Sequence, residues 1–93
     1  MNKCLRITIT ADFPEGFLYN FVQKSARKCN LEGVAQVVEE DRQVRIIICG
    51  SREDVDQFLD LLHKGPSKFV PENIEIEPFL KDKDYRGVFR VIE

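Results

Sequence analysis

The sequence predicts a small α+β domain in which two helices cover one face of a sheet. Segments with strand-like alternation or β-branched runs are interspersed with two segments of helical periodicity, and turn-forming residues separate most of them. The chain has 93 residues, of which 43% are hydrophobic and 32% are charged. That size and composition are typical of one globular domain, which we expect to span residues 1–93.

The first strand and the first helix are separated by a bend. Residues Cys4–Ala11 alternate between apolar and polar side chains, as in a half-buried strand. After Pro14 and Gly16, an apolar stripe recurs at helical spacing, and Asn30 is a typical residue for ending the helix. The stripe consists of Leu18, Phe21, Val22, Ser25, Ala26 and Cys29.

A hairpin and a second helix follow. Val34–Val38 and Gln43–Cys49 are β-branched runs around a polar stretch, residues 39–42, which is typical of a hairpin. Ser51 then predicts the N-cap of a helix that ends at Lys64-Gly65-Pro66.

Two more strands complete the chain. Asn73–Phe79 alternates, the charged stretch Lys81–Asp84 predicts a loop, and Val88–Ile92 predicts a short strand. The order is therefore β-α-β-β-α-β with a terminal strand. This order predicts a ferredoxin-like sandwich, in which two helices lie on one face of an antiparallel sheet.

Composition argues against several classes of partner and site. The net charge of −2 and the pI near 5.4 argue against nucleic acid and anionic membranes as partners. Binding of nucleic acid on the sheet face is the weakest alternative, because the expected central strand offers Arg45 but no aromatic side chain for stacking. The longest apolar run, Ile46–Cys49, is too short to span a bilayer. We expect a cytoplasmic monomer.

The cysteines and the histidine predict no metal site. Cys4, Cys29 and Cys49 are widely spaced, no C-x-x-C occurs, and His63 is the only histidine. We expect free thiols in a reducing compartment, and no metal or cofactor.

The bend before the first helix is the candidate ligand-binding segment. Amide groups at a helix start can bind phosphate or carboxylate. However, Pro14 lacks an N–H, and Asp12 and Glu15 would repel an anion, so an ordinary strand–helix connection is the alternative. The candidate phosphate-binding loop consists of Phe13, Pro14, Glu15, Gly16, Phe17 and Leu18.

Several short motifs, spread over most of the chain in the same order, resemble the acylphosphatase family. They are Phe21-Val22-Gln23 with Ala26, Leu31-Glu32-Gly33-Val34-Ala35-Gln36, Gly50-Ser51-Arg52-Glu53-Asp54-Val55, Lys64-Gly65-Pro66 and Tyr85-Arg86-Gly87-Val88-Phe89. The resemblance implies a ferredoxin-like fold and hydrolysis of acyl phosphates without metal or cofactor. It also implies that loop amides and an arginine hold the phosphate, while an asparagine positions the attacking water.

The expected catalytic positions carry other residues. The family's arginine falls on Tyr19 when counted back from Phe21, or on Asn20 when counted forward from Gly16, and its asparagine falls on Val37. We therefore expect a degenerate active site that is impaired or inactive towards acyl phosphates, in a binding or structural module for a small anion or a protein partner. The alternative is an active acylphosphatase with relocated groups. The candidate replacement arginines are Arg6, Arg27 and Arg42.

Overall fold

The chain forms a five-stranded sheet and two helical regions. The computed structural model of the protein describes residues 2–13, 16–38, 42–65, 72–78 and 87–92. The first helical region comprises a π-helical segment, Phe17–Gln23, and α1 (Lys24–Lys28), and the second is α2 (Arg52–Lys64). The strands are β1 (Asn2–Thr10), β2 (Glu32–Val38), β3 (Gln43–Ser51), β4 (Asn73–Pro78) and β5 (Phe89–Ile92).

The sheet has the strand order β4-β1-β3-β2-β5. The predicted ferredoxin-like sandwich is confirmed, with antiparallel pairing between β4, β1, β3 and β2. The terminal strand β5 lies parallel to β2, so the complete sheet is mixed and only its other four strands are antiparallel. The reason is the direction of the strands. β2 runs in the same direction as β1 and opposite to β4. Because β5 runs opposite to β4, it lies parallel to β2.

The core lies between the sheet and the helices. Burial alternates along β1 and β3, so each strand sends one side-chain row toward the helices and the other toward the uncovered face. Full burial of each large aliphatic or aromatic side chain stabilises the fold by about 1.5–3 kcal/mol. The largest fully buried side chains of this core are Phe58, Phe89, Ile7, Ile9, Ile46, Ile48 and Leu62.

The observed ends of the helices agree with the capping residues predicted from the sequence. The Ser51 hydroxyl accepts a hydrogen bond from the Asp54 N–H at 3.1 Å, which confirms the predicted cap. At the other end of α2, Gly65 has φ 63° and donates its N–H to the Leu61 carbonyl at 2.9 Å. The first helical region ends before Asn30, whose φ of 58° is left-handed.

Two of the three cysteines are joined. Cys4 and Cys49 form a disulfide, so the expectation of free thiols is wrong for this pair. The register of β1 against β3 puts the two residues directly opposite each other, and a separation of 45 residues in sequence gives no sign of that pairing. Cys29 is free and buried as expected, and burial raises the pKa of its thiol, with a further contribution from Asp54.

Some sequence predictions lie outside the described residues. They concern Pro14, Glu15, the hairpin tip at 39–41, Pro66, Phe79, the loop at 81–84, Tyr85 and Arg86. Neither helix within the described ranges has the length and apolar character needed to cross a membrane.

Candidate functional site

A cleft of about 140 Å³ opens where the loop after β1 meets the ends of β2 and β3. Tyr19 comes from the start of the first helical region and Val37 from the end of β2, and both line this cleft. The structure thus brings together two of the positions singled out in the sequence. The described residues that line it are Phe13, Gly16, Phe17, Leu18, Tyr19, Val37 and Val44.

Gly16 turns the chain into the first helical region, and the side chains of Tyr19 and Asn20 lie on different sides of this turn. Its φ of 75° and ψ of 11° are left-handed, a conformation that glycine adopts without steric cost. The Asn20 N–H donates to the Gly16 carbonyl at 2.7 Å, and a Cβ added at Gly16 would lie 2.4 Å from Asn20 Nδ2. The Asn20 side chain therefore packs back over the turn, whereas Tyr19 lines the cleft.

The described residues that form the walls of the cleft are mostly apolar. The rings of Phe13 and Phe17 have centroids 4.9 Å apart, and those of Phe17 and Phe21 are 5.4 Å apart, so an aromatic row follows the loop into the helix. Tyr19 is 43% exposed and Val37 is 55% exposed. The lining described above contains no charged side chain.

Three charged side chains from segments next to the cleft bind one another. Arg42 donates to the carboxylates of Asp12 and Glu72, the latter at 2.7 Å. The hydrogen bond to Asp12 is the main cause that raises the pKa of Arg42 above its ordinary value. The segments themselves are also joined, because the Ala11 N–H donates to the Arg42 carbonyl at 3.0 Å. The negative charge of Asp12 is thus balanced by Arg42, whose guanidinium also binds Glu72.

The other two candidate arginines line no part of this cleft. Arg6 pairs with Glu77 at 2.6 Å on the uncovered face of the sheet. Arg27 lies at the end of α1, where it lines a separate depression of about 360 Å³ with Asn30 and Val88. His63 is exposed in the last turn of α2. Across the described ranges, no three His, Cys, Asp or Glu side chains are grouped as a metal site would require.

Sequence reasoning missed two features of the cleft. Val44 lines it because β2 pairs with β3 in a register that sets Val37 opposite Val44. The alternation of β3 could have placed Val44 on the helix-facing side, but only the register brings it beside Val37. The contact of Arg42 with Asp12 joins residues 30 apart and has no local sequence signal.

Comparison with known proteins identifies the family. The acylphosphatase family model matches residues 16–91. The chain belongs to the acylphosphatase family. The acylphosphatase of Methanococcoides burtonii is 32% identical over 74 residues, which are 80% of this chain and 76% of that protein.

Solved acylphosphatases have the same fold. The acylphosphatase from Coxiella burnetii superposes with a TM-score of 0.83 at 24% identity, over 98% of this chain and 93% of its own. That from Bacillus subtilis gives a TM-score of 0.83 at 18% identity, with both chains fully covered. At these identities the likeness shows the fold alone. The part of the chain matched by the acylphosphatase family model includes both Tyr19 and Val37.

Proposed function

We propose that this acylphosphatase-family domain hydrolyses acyl phosphates poorly or not at all, and that it is a binding module whose site is the apolar cleft. One observation carries the proposal. Tyr19, one of the two positions where the family resemblance implies an arginine, and Val37, where it implies an asparagine, line the same cleft. The chemistry of that cleft therefore depends on two side chains that differ from the expected ones.

Among the described residues, no cationic side chain lines this cleft to hold a phosphate. A guanidinium fork matches phosphate oxygens with two charged hydrogen bonds, whereas a tyrosine has one neutral O–H. The walls next to Tyr19 are the side chains of Phe13, Phe17 and Leu18, which would remove water from an anion without replacing its hydrogen bonds. Arg42 is engaged by Asp12 and Glu72.

Water activation is disfavoured at the other side of the cleft. Val37 has no polar side-chain atom, so it cannot orient an attacking water. Its cross-strand partner Val44 is equally apolar. Both sides of the cleft therefore favour an apolar occupant.

The dimensions favour a single apolar group as the occupant. A volume of about 140 Å³ is well below that of pockets for drug-sized ligands, which hold roughly 300–1,000 Å³. The exposure of Tyr19 and Val37 makes the cleft reachable from outside. We infer that it accepts one aromatic or aliphatic side chain of a partner protein, with the Tyr19 hydroxyl available for one hydrogen bond.

Hydrolysis of benzoyl phosphate tests the first half of the proposal. We expect the purified protein to raise the rate little above that of buffer, and a family acylphosphatase assayed in parallel is the positive control. Turnover at the rate of that control would overturn the proposal and favour an active enzyme with relocated groups.

Introducing an arginine and an asparagine into the cleft tests whether the absence of these side chains causes the low activity. We expect Tyr19→Arg with Val37→Asn to hydrolyse benzoyl phosphate at least about 100-fold faster than the parent, because electrostatic donors of this kind contribute on that scale. Asn20→Arg with Val37→Asn is the matched control, and it should give little gain since Asn20 packs over Gly16. Equal rates for the two double variants would contradict the role assigned to Tyr19.

Chemical-shift titrations test the second half. We expect N-acetylphenylalanine amide to shift the methyl signals of Val37 and Val44 in a saturable way, and Val37→Asp to weaken that binding. Inorganic phosphate should leave the amide signals of residues 16–20 unchanged. Saturable phosphate shifts there, without shifts from the phenylalanine probe, would show an anion site in place of an apolar one.

A further inference from the structure

We propose that the Cys4–Cys49 disulfide is a thiol–disulfide exchange site, which an external dithiol opens by attacking the Sγ atom of Cys4. The two residues are directly opposite in the β1–β3 ladder, with their Cα atoms 4.2 Å apart. That distance is typical of the close, non-hydrogen-bonded pairs of an antiparallel sheet. The fold itself therefore holds the two sulfur atoms together.

The two halves of the disulfide differ in access. Leu5 and Ile7 belong to the core under the helices, so Cys4 points to the uncovered face of the sheet, as Arg6 does. Cys49 lies on the same face in a more central strand and is only 2% exposed, whereas Cys4 is half-buried. An incoming thiolate thus reaches the Sγ of Cys4 more easily than that of Cys49.

Reduction of the disulfide proceeds in two exchange steps, and in each of them one S–S bond forms as another breaks. A thiolate of the dithiol bonds to Cys4 Sγ as the Cys4–Cys49 bond breaks, and Cys49 leaves as a thiolate that takes up a proton. The second thiol of the reagent then displaces Cys4, which leaves the protein with two thiols and the reagent as a cyclic or intramolecular disulfide. The protein is reduced by two electrons and the dithiol is oxidised by two.

The third cysteine takes no part in this exchange. Cys29 packs in the core between the helices and the sheet, on the opposite side of the sheet from the disulfide. Burial raises the pKa of its thiol, so little of it is present as the reactive thiolate. The reductant must therefore come from outside the chain.

The disulfide closes a ring that contains the whole cleft. Its ends are 45 residues apart, and the ring includes the first helical region, all of β2 and most of β3. Opening the ring restores freedom to the unfolded chain while the folded contacts stay in place. Reduction should therefore lower stability without changing the fold.

Reduction of the unmodified protein is the first test. We expect dithiothreitol to open the disulfide in the folded protein at a rate proportional to its concentration, as followed by alkylation and mass spectrometry. The melting temperature should fall by about 10–20 °C, and the amide spectrum should remain that of a folded protein. A rate independent of the dithiol, an unchanged melting temperature, or failure of the pair to oxidise in glutathione disulfide would each overturn the proposal.

Two single variants test which sulfur is attacked. Cys49→Ser leaves Cys4 as a free thiol and Cys4→Ser leaves Cys49, while both lose the same crosslink. In the folded proteins we expect Cys4 to react with an aromatic disulfide reagent at least about tenfold faster than Cys49, because thiol reactivity follows exposure. Equal rates, or faster reaction of Cys49, would contradict attack at Cys4. Cys29 serves as the buried reference thiol in both variants.

Discussion

Gly33 is the residue whose identity the backbone restricts most strictly. Its φ is 143°, and a Cβ at this position would lie 1.8 Å from the Ile47 carbonyl oxygen of the neighbouring strand. The absence of a side chain thus lets β2 and β3 approach each other at the base of the hairpin. This glycine also belongs to one of the motifs that carry the family resemblance.

We predict that Gly33→Ala destabilises the protein by about 3 kcal/mol or more, because both the φ angle and the contact with Ile47 are unfavourable. Gly87→Ala is the matched control: Gly87 also has a positive φ, 69°, but a Cβ there meets nothing within 4 Å. The control should lose only about 1–2 kcal/mol. Urea unfolding of the two variants measures the difference, and equal losses would show that the close approach of the strands is not what restricts residue 33.

Candidate site residues could be predicted from the sequence only where a family motif gave a position to count from. Tyr19 and Val37 follow from their distances to Phe21 and Gly33, and both line the cleft. The sequence leaves the arginine position open between Tyr19 and Asn20. In the structure Tyr19 lines the cleft, whereas the Asn20 side chain packs over the turn at Gly16. No local pattern distinguishes the two.

At the scale of elements, the first helical region differs from the regular helix that the sequence suggests. Phe17–Gln23 is π-helical, with one residue more per hydrogen-bonded turn than an α-helix. An apolar stripe of i, i+3 and i+4 spacing does not discriminate between the two forms over so short a segment. Such wide turns are rare and often occur at functional sites, and here the segment provides one wall of the cleft.

Arg42 joins three elements, since it contacts Asp12 after β1 and Glu72 before β4 and itself precedes β3. We predict that Arg42→Gln lowers the melting temperature in low salt and that the difference from the parent shrinks in about 1 M NaCl, where exposed charges are screened. Arg90→Gln is the control, because the described residues offer Arg90 no ion pair.

The pH dependence of that difference follows from the sign of the shift. Since the pKa of Arg42 is raised, its pairing contributes below the ordinary pKa of arginine and is lost only as the pH rises through the higher value. The effect of Arg42→Gln should therefore be constant between about pH 6 and pH 9. A difference that grows with salt, or that disappears within this range, would contradict the ion-pair explanation.

At the scale of the whole molecule, the layers and the strand count could be predicted and the long-range pairings could not. Alternation in β1 and the capped apolar stripe of α2 are local patterns, and they give the correct elements. The parallel pairing of β5 with β2 and the Cys4–Cys49 disulfide depend on where distant strands meet. Such register is a property of the assembled sheet.

Substitutions in the core between the sheet and the helices should cause the largest losses of stability. Phe58 is fully buried where α2 packs on the sheet, and we expect Phe58→Ala to cost about 3–5 kcal/mol through lost burial and a residual cavity. Gln57→Ala, on the exposed side of the same helix, should change stability by less than about 0.5 kcal/mol. Thermal and denaturant unfolding measure both, and a small loss for Phe58→Ala would mean that α2 contributes little to the common core.

The pairing of β1 with β3 has a consequence for how the protein is made. Asn2 pairs with Ser51 and Leu5 with Pro78, so β1 can form these pairs only after segments much later in the chain have been synthesised. Sheets that depend on such distant pairings fold slowly. Cys4 and Cys49 can be joined in this arrangement only after the two central strands have met. Formation of this disulfide in a newly made molecule therefore reports that the two central strands have paired in the native register.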